Sequence, residues 1–379
     1  AFPALIRLWR GVSRGAFDVV WVNSLFNPIA ACAARAAGCR VVWHLHERNF
    51  PGILGVAMAG VIRLAAHQPV AVSRFVAGTF GRAGADRMVL IRNAQLRDIE
   101  PTPLRPRHVP FTVGYIRQLE PRKRVVDILE AIGLLPDCRA LIVGDGKGRR
   151  RVEAAIRSLA LEGRVTLVGF SEDVASHLRE MDCVVLPARS EPFGLVALEA
   201  MASGRPVIAS NHGAHPEVLA DAALYYPLGN TRELAARIAR LKEDPRLAES
   251  LGARGIERAR EFTWERAARM TDAVIDQLLA EEPVTRSSRV SIGERTRSGP
   301  LAPIRQPSPA PQDGRQPPRV SVVVINYNRR DLLERICVAL SRPGVDGVLG
   351  TPDVIEDLLL LGALEDKVVL GSMNRGGLA

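Results

Sequence analysis

With 379 residues, 47% hydrophobic and 24% charged, the chain has room for two globular domains, and the lack of any bilayer-length apolar run excludes a membrane-spanning protein. Its formal charge of +10 rests almost wholly on arginine, since lysine occurs only at Lys123, Lys147, Lys242 and Lys367. That excess suits phosphate groups or an anionic membrane face, but because it is spread along the chain rather than gathered into one block it reads first as the base composition of the gene; with aromatics at 5% and no recognition module, nucleic acid is not an expected partner.

Ala1–Arg14 carries three arginines around short apolar pieces, unlike a secretory leader, and the missing initiating methionine puts the expected start upstream. Asp18–Asn23 and Arg40–His46 are short β-branched runs, read as strands on either side of an alanine-rich helix, Pro28–Ala37, that Gly38 ends. Glycines and Arg63 interrupt the apolar stretch Ile53–Ala66. Pro69–Ser73 and Met88–Arg92 read as further strands. Strand, helix and strand in short alternation predict a parallel sheet, so residues 1–105 form a first Rossmann-like domain. A polar, proline-rich break at Glu100–Pro110 follows.

The alternation then restarts. Strands are predicted at Phe111–Ile116, Ala140–Val143, Val165–Leu167, Cys183–Leu186 and Pro206–Ala209. Helices are predicted at Lys123–Leu134, Val152–Leu161, Val174–Met181 and Leu195–Met201, with Leu234–Leu241, Pro245–Phe262 and Trp264–Leu279 closing the unit. Residues 106–282 are therefore a second Rossmann-like domain. Residues 283–318 lose all apolar period; seven prolines fall between Pro300 and Pro318, which predicts a flexible linker. Residues 319–379 hold too few strands for a stable domain and read as a partial α/β tail. The five cysteines are scattered without metal-type spacing, as buried thiols of a reducing, cytoplasmic compartment.

Chemistry concentrates at Ser190–Glu199, SEPFGLVALE. Glu191 and Glu199 stand eight positions apart, with a turn between them and a helix beginning near Gly194. Glycine lets a ligand approach the backbone, and the free N–H groups of Gly194 and Leu195 at the positive end of a helix form an anion site suited to a diphosphate. Glu199, one turn on, can accept hydrogen bonds from vicinal hydroxyls such as those of ribose; Glu191 can reach hydroxyls beyond the diphosphate. Arg117–Lys123 (RQLEPRK) follows a strand and offers cations where a departing phosphate gathers charge. In His44-Leu45-His46-Glu47, strand alternation puts His44 and His46 on one face. No Asp-x-Asp and no His or Cys pair at ligand spacing is present, so no metal site is expected.

Glu191–Glu199, the AMASGRPVIAS run and Gly213–Glu217 after it, Ala140–Gly146 (ALIVGDG), Val165–Phe170 (VTLVGF) and Phe262–Arg266 together resemble the signature of retaining glycosyltransferases of family 4, over about residues 15–280. That resemblance implies the GT-B fold: two facing Rossmann-like domains, the first lacking its opening strands. It implies a nucleoside-diphosphate sugar as donor, no cofactor and no bound metal. Arg117 and Lys123 would stabilise the diphosphate, Glu199 would hold the ribose, Glu191 and His46 would orient the sugar, and Gly194, Leu195, Gly144 and Phe170 would line the donor site. The family pattern has Gly-Arg where this chain has Arg117-Gln118, so Arg117 would act from a shifted position. Ser73 and Asn93 are expected to shape turns. The acceptor would be a glycan, a lipid or a small molecule, with peripheral contact to an anionic inner membrane face. Residues 320–340 resemble the opening strand and helix of family 2 glycosyltransferases, and 344–379 resemble a piece of an aldolase-type barrel. Two rival readings are a nucleotide-sugar epimerase and a non-catalytic sugar-nucleotide binder.

Overall fold

The computed structural model describes residues 17–95, 99–104, 110–280, 319–325, 346–348 and 368–374. They fall into two units. One takes the described parts of Ala1–Ala71, Ala77–Ile91 and Glu265–Ala379; the other takes those of Val72–Val76 and Arg92–Trp264. The expected linker at 283–318, the segment Ala1–Gly15 and most of the family 2 resemblance lie outside the described residues.

In the first unit, β1 (Val19–Asn23), β2 (Arg40–Leu45), β3 (Gln68–Ala71) and β4 (Val89–Leu90) lie side by side, all parallel. The helix Pro28–Ala36 starts on proline, which needs no N–H there, and buries Ala30, Ala31, Ala33 and Ala34. The helix Trp264–Ala280 turns Val274, Ile275 and Leu278 into this unit's core, with Val19, Trp21, Val42, Val70 and Ile91.

The second unit is a six-stranded sheet: β5 (Phe111–Ile116), β6 (Cys138–Val143), β7 (Val165–Gly169), β8 (Cys183–Leu186), β9 (Val207–Ser210) and β10 (Ala223–Tyr226). Its order is β10-β9-β8-β5-β6-β7, all parallel. β8 and β9 are buried throughout, as strands covered on both faces must be. The order reverses between β5 and β8. In an open parallel sheet, ligands settle at the carboxyl ends of the strands at such a switch point.

One predicted element starts later than expected, and several observed ones were not predicted. The helix expected from Lys123 begins at Val125, because Pro121–Lys123 forms a 3₁₀ turn and Arg124 adopts φ +54°. Lys123 therefore sits on a turn, not on a helix. β10 has no expected counterpart: it has only four residues, followed at once by Pro227 and a turn at Gly229.

Three strands from the end of the chain join the first unit's sheet: β11 (Arg319–Ile325), β12 (Asp346–Val348) and β13 (Val368–Asn374). β11 runs parallel beside β1, with Val320 opposite Val19, and β13 and then β12 follow antiparallel.

Candidate active site

The switch point of the second unit is built by backbone stitching between three loops. After β5, Arg117 N–H donates to the Val143 carbonyl (2.9 Å), Leu119 N–H to Asp145 O (2.8 Å), and Gly148 N–H to Leu119 O (2.7 Å). The loop Gly144–Gly148 lies so close that a Cβ on Gly144 would stand 1.9 Å from the Arg117 carbonyl oxygen. After β8, the chain carrying Glu191 is held on its other side: Ala214 N–H donates to Glu191 O (2.8 Å), and a Cβ on Gly213 would meet Glu191 N at 2.7 Å. Ser73 Oγ donates to Pro192 O (2.6 Å) and accepts from Val76 N–H (3.1 Å). That serine thus shapes its own turn, as expected, and also pins the loop beside Glu191.

These loops bring together Arg117, Lys123 and Glu191, 68 positions apart in the case of the last two. Lys123 Nζ donates to Glu191 Oε2 at 2.6 Å, and the Arg117 guanidinium stands 3.3 Å from Oε1. Lys123 and Glu191 are buried, whereas the Arg117 side chain is 30% exposed. Burial raises the Glu191 carboxyl, but Arg117 and then Lys123 outweigh it and hold the group below its ordinary value. Lys123 is pushed down to about 8, by burial first and by Arg117 next, against the pull of Glu191. Two cations on one carboxylate leave the cluster an excess of positive charge in a place poorly reached by water. An anion is the ligand that would relieve it.

Arg117, Lys123, Glu191 and Gly194 line one open cavity with His215 and the end of β8. Gly194 caps the helix Leu195–Ala202 with φ +100°, a conformation that an L side chain resists. It lets the chain turn directly from the Glu191 loop into the helix, whose first N–H groups have no intrahelical acceptor. Glu199 is buried on this helix, but the wall of the cavity is made by Gly194, Val196 and Ala197. Gly144 lies beneath Arg117. Phe170, at the end of β7, is 78% exposed beside Gly169, whose carbonyl accepts from Gly144 N–H (2.6 Å).

His46 belongs to the first unit, just past β2. Its ring centroid is 4.3 Å from that of His44, so the two do share a face. Burial lowers both; the charge of His46 lowers His44 further. The next residue, Glu47, accepts from Ser24 Oγ and Leu25 N–H at 2.8 Å each, which ties the ends of β1 and β2 together.

His215 is a site residue that the sequence alone does not mark. It is buried against the cavity, with a pKa lowered to about 4 by burial, and is therefore neutral at pH 7. Ser210 Oγ gives its proton to Ala188 O (2.8 Å), so the Ser210 oxygens can only accept from His215 Nδ1, 3.3 Å away. The imidazole Nε2 is left as an acceptor. The turn Gly213-Ala214-His215-Pro216, a glycine followed by a helix-starting proline, was the available signal. Among the described residues, no group of three or more His, Cys, Asp or Glu could hold a metal ion.

Residues 97–258 match the family described as Glycosyl transferases group 1, and residues 321–379 match a second family, described as Cgl0159-like. The second match runs unbroken across residues 340–344, where the sequence resemblance had divided the tail. N-acetyl-alpha-D-glucosaminyl L-malate synthase of Bacillus anthracis is 35% identical over 148 residues, 38% of this chain and 38% of that protein. Phosphatidyl-myo-inositol mannosyltransferase of Mycolicibacterium smegmatis is 28% identical over 280 residues, 68% of this chain and 70% of that one. The chain spans about two fifths to one half of the length of the first curated relatives it matches. Among solved structures, Anabaena HepE in complex with UDP and glucose aligns with TM-score 0.64 and 22% identity, over 73% of this chain and 81% of that one. The switch-point site lies inside the segment, residues 97–258, that matches the group 1 glycosyl transferases, and the two Rossmann-like sheets have the GT-B fold of these neighbours.

Proposed function

We propose that the protein is a retaining glycosyltransferase that moves a hexose or similar sugar from a nucleoside diphosphate to an acceptor hydroxyl. The observation that carries this reading is the Arg117–Lys123–Glu191 cluster facing the start of the Leu195–Ala202 helix. Breaking the bond between the anomeric carbon and the diphosphate leaves the electron pair on the departing oxygen. Fixed cations and helix N–H groups aimed there lower the barrier, since they need no reorganisation. The acceptor oxygen attacks from the same face, and its proton passes to the departing phosphate. Glu191 holds Lys123 and Arg117 in place and accepts from a sugar hydroxyl. Glu199 holds the ribose, Gly194 and Leu195 meet the diphosphate, and Gly144 and Phe170 border the donor. His46 orients the sugar, and His215 offers a neutral acceptor beside it.

The UDP complex of Anabaena HepE supports a uridine nucleotide as the first donor base to try. The phosphatidyl-myo-inositol mannosyltransferase supports a lipid-borne acceptor, with a glycan or a small molecule as the other classes. Among the described residues no helix is long and apolar enough to cross a membrane. We place the protein in the cytoplasm, in peripheral contact with an anionic membrane face.

Thermal shift with UDP tests the donor site. At a hundredfold excess over Kd, stabilisation of about 2.7 kcal/mol is expected, and Glu199→Ala should remove most of it. If no nucleoside diphosphate raises the melting temperature of the wild-type protein, the donor-site reading fails. The titration of Lys123 adds a pH signature. A diphosphate prefers the charged lysine, so binding takes up a proton above the free-site value of about 8. UDP affinity is therefore expected to be level between pH 6.5 and 7.5 and to decline above about pH 8, by up to roughly tenfold per unit. Calorimetric titration across that range checks it; an affinity that rises with pH contradicts the assignment of Lys123.

A further inference from the structure

The helix Gly52–Ala65 in the first unit is apolar on both sides. It buries Gly55, Ile62 and Ala65, yet Ile53 is 88% exposed, Val56 74%, Leu64 73% and Leu54 58%. At 100° per residue, Ile53, Leu64, Ala57 and Val56 fall on one stripe, opposite Gly55 and Ile62. Arg63, the helix's one charged residue, lies at the rim of that stripe. The apolar surface continues past the helix start. Phe26, 56% exposed in the loop after β1, meets Phe50 edge-on, with ring centroids 5.8 Å apart. An apolar patch of this kind marks a surface meant to be covered.

Charge says by what. Arg63 on the helix and Arg48 just before it are set against Glu47 alone. The Glu47 carboxylate is already engaged by Ser24 and Leu25. A second copy of the chain would set arginine against arginine. A surface of acyl chains under anionic headgroups answers both the apolar stripe and its basic rim.

We propose that Gly52–Ala65, with Phe26, is an interfacial anchor that lies in the plane of an anionic lipid surface. Phe26 and Phe50 stand in the loops beyond the carboxyl ends of β1 and β2, the end of the sheet at which open α/β units take ligands. The anchor thus brings that end of the first unit to the lipid. In this respect it deepens the transferase reading, and rests on it, by assigning the acceptor to molecules carried in the membrane.

Co-sedimentation of the full chain with vesicles is the test, with UDP thermal shift measured in parallel. Wild-type protein should pellet with phosphatidylglycerol vesicles and stay in solution with phosphatidylcholine alone. Ile53→Asp/Leu64→Gln should lower the bound fraction at least about tenfold. Arg48→Ala and Arg63→Ala should each lower it about fivefold at low salt. All variants should keep the wild-type melting temperature and UDP response. The proposal is overturned if phosphatidylglycerol vesicles do not retain the wild-type chain, or if the double variant binds them unchanged. It is also overturned if the double variant loses its cooperative melt, or turns a dimeric wild type into a monomer, since the stripe would then be covered by protein. Vesicle binding without any UDP response would sink the transferase reading and leave the anchor standing.

Discussion

Replacing Lys123 with methionine lowers the turnover of the proposed sugar transfer by roughly 10²–10³-fold. The buried ammonium reaches Glu191 at 2.6 Å in the wall of the cavity, and methionine keeps the stem while removing the charge. Arg117 alone would then face the departing diphosphate, from a partly exposed position 3.3 Å from Glu191. Removing one partner of a buried pair also destabilises, because the other charge loses its complement. The double variant Lys123→Met/Glu191→Gln separates these effects. It should recover stability, since neither buried charge remains, and should not recover turnover. The readings are the release of nucleoside diphosphate with acceptor present and the melting temperature of each variant. Turnover that returns with stability would show Lys123 to be structural.

The Gly144→Ala variant should lose about 3 kcal/mol or more of stability. Gly144 adopts φ +140°, and a Cβ there would stand 1.9 Å from the Arg117 carbonyl oxygen, closer than any contact a side chain can make. Neither atom can yield without breaking the hydrogen bonds that align the loops after β5 and β6. For a unit of this size the melting temperature should fall by roughly 6–12 °C. Gly38→Ala is the matching control. Gly38 also has positive φ, +83°, but open space around it, so the backbone strain of about 1–2 kcal/mol should be the whole cost. Equal melting temperatures for the two variants would contradict the close approach at Gly144.

Much of this was legible beforehand, for identifiable reasons. Buried parallel strands such as Cys183–Leu186 and Val207–Ser210 announce themselves as short β-branched runs between helices. The helix after Gly194 was equally plain, because a glycine at a turn precedes a long apolar stretch. What could not be read was distance across the fold. Glu191 and Glu199 invited treatment as a pair, yet Glu191 is bound to Lys123 and Arg117 on a loop, while Glu199 is buried in the helix. The Arg117-Gln118 departure was ambiguous in one dimension. In three, the Arg117 side chain lines the cavity, while the backbone of the same residue lies over Gly144. The break at Arg124 escaped notice because nothing in an arginine signals positive φ; the demand comes from the 3₁₀ turn that seats Lys123. His215 was hidden by its environment: its role depends on Ser210 and on burial, and neither is local.

The position of β11 has a kinetic meaning. Val19 pairs with Val320, a separation of about 300 residues, and the helix from Glu265 lies between them in sequence while packing on the same unit. On the ribosome, β1 must wait for about 300 further residues before that neighbour arrives. The second unit's six strands all fall between Arg92 and Trp264, so its whole sheet is available sooner. Closing so long a loop adds little to the equilibrium cost, about 0.6 kcal/mol for each doubling of length. Its weight falls on rate: the first unit's sheet is begun before the second unit's and completed after it.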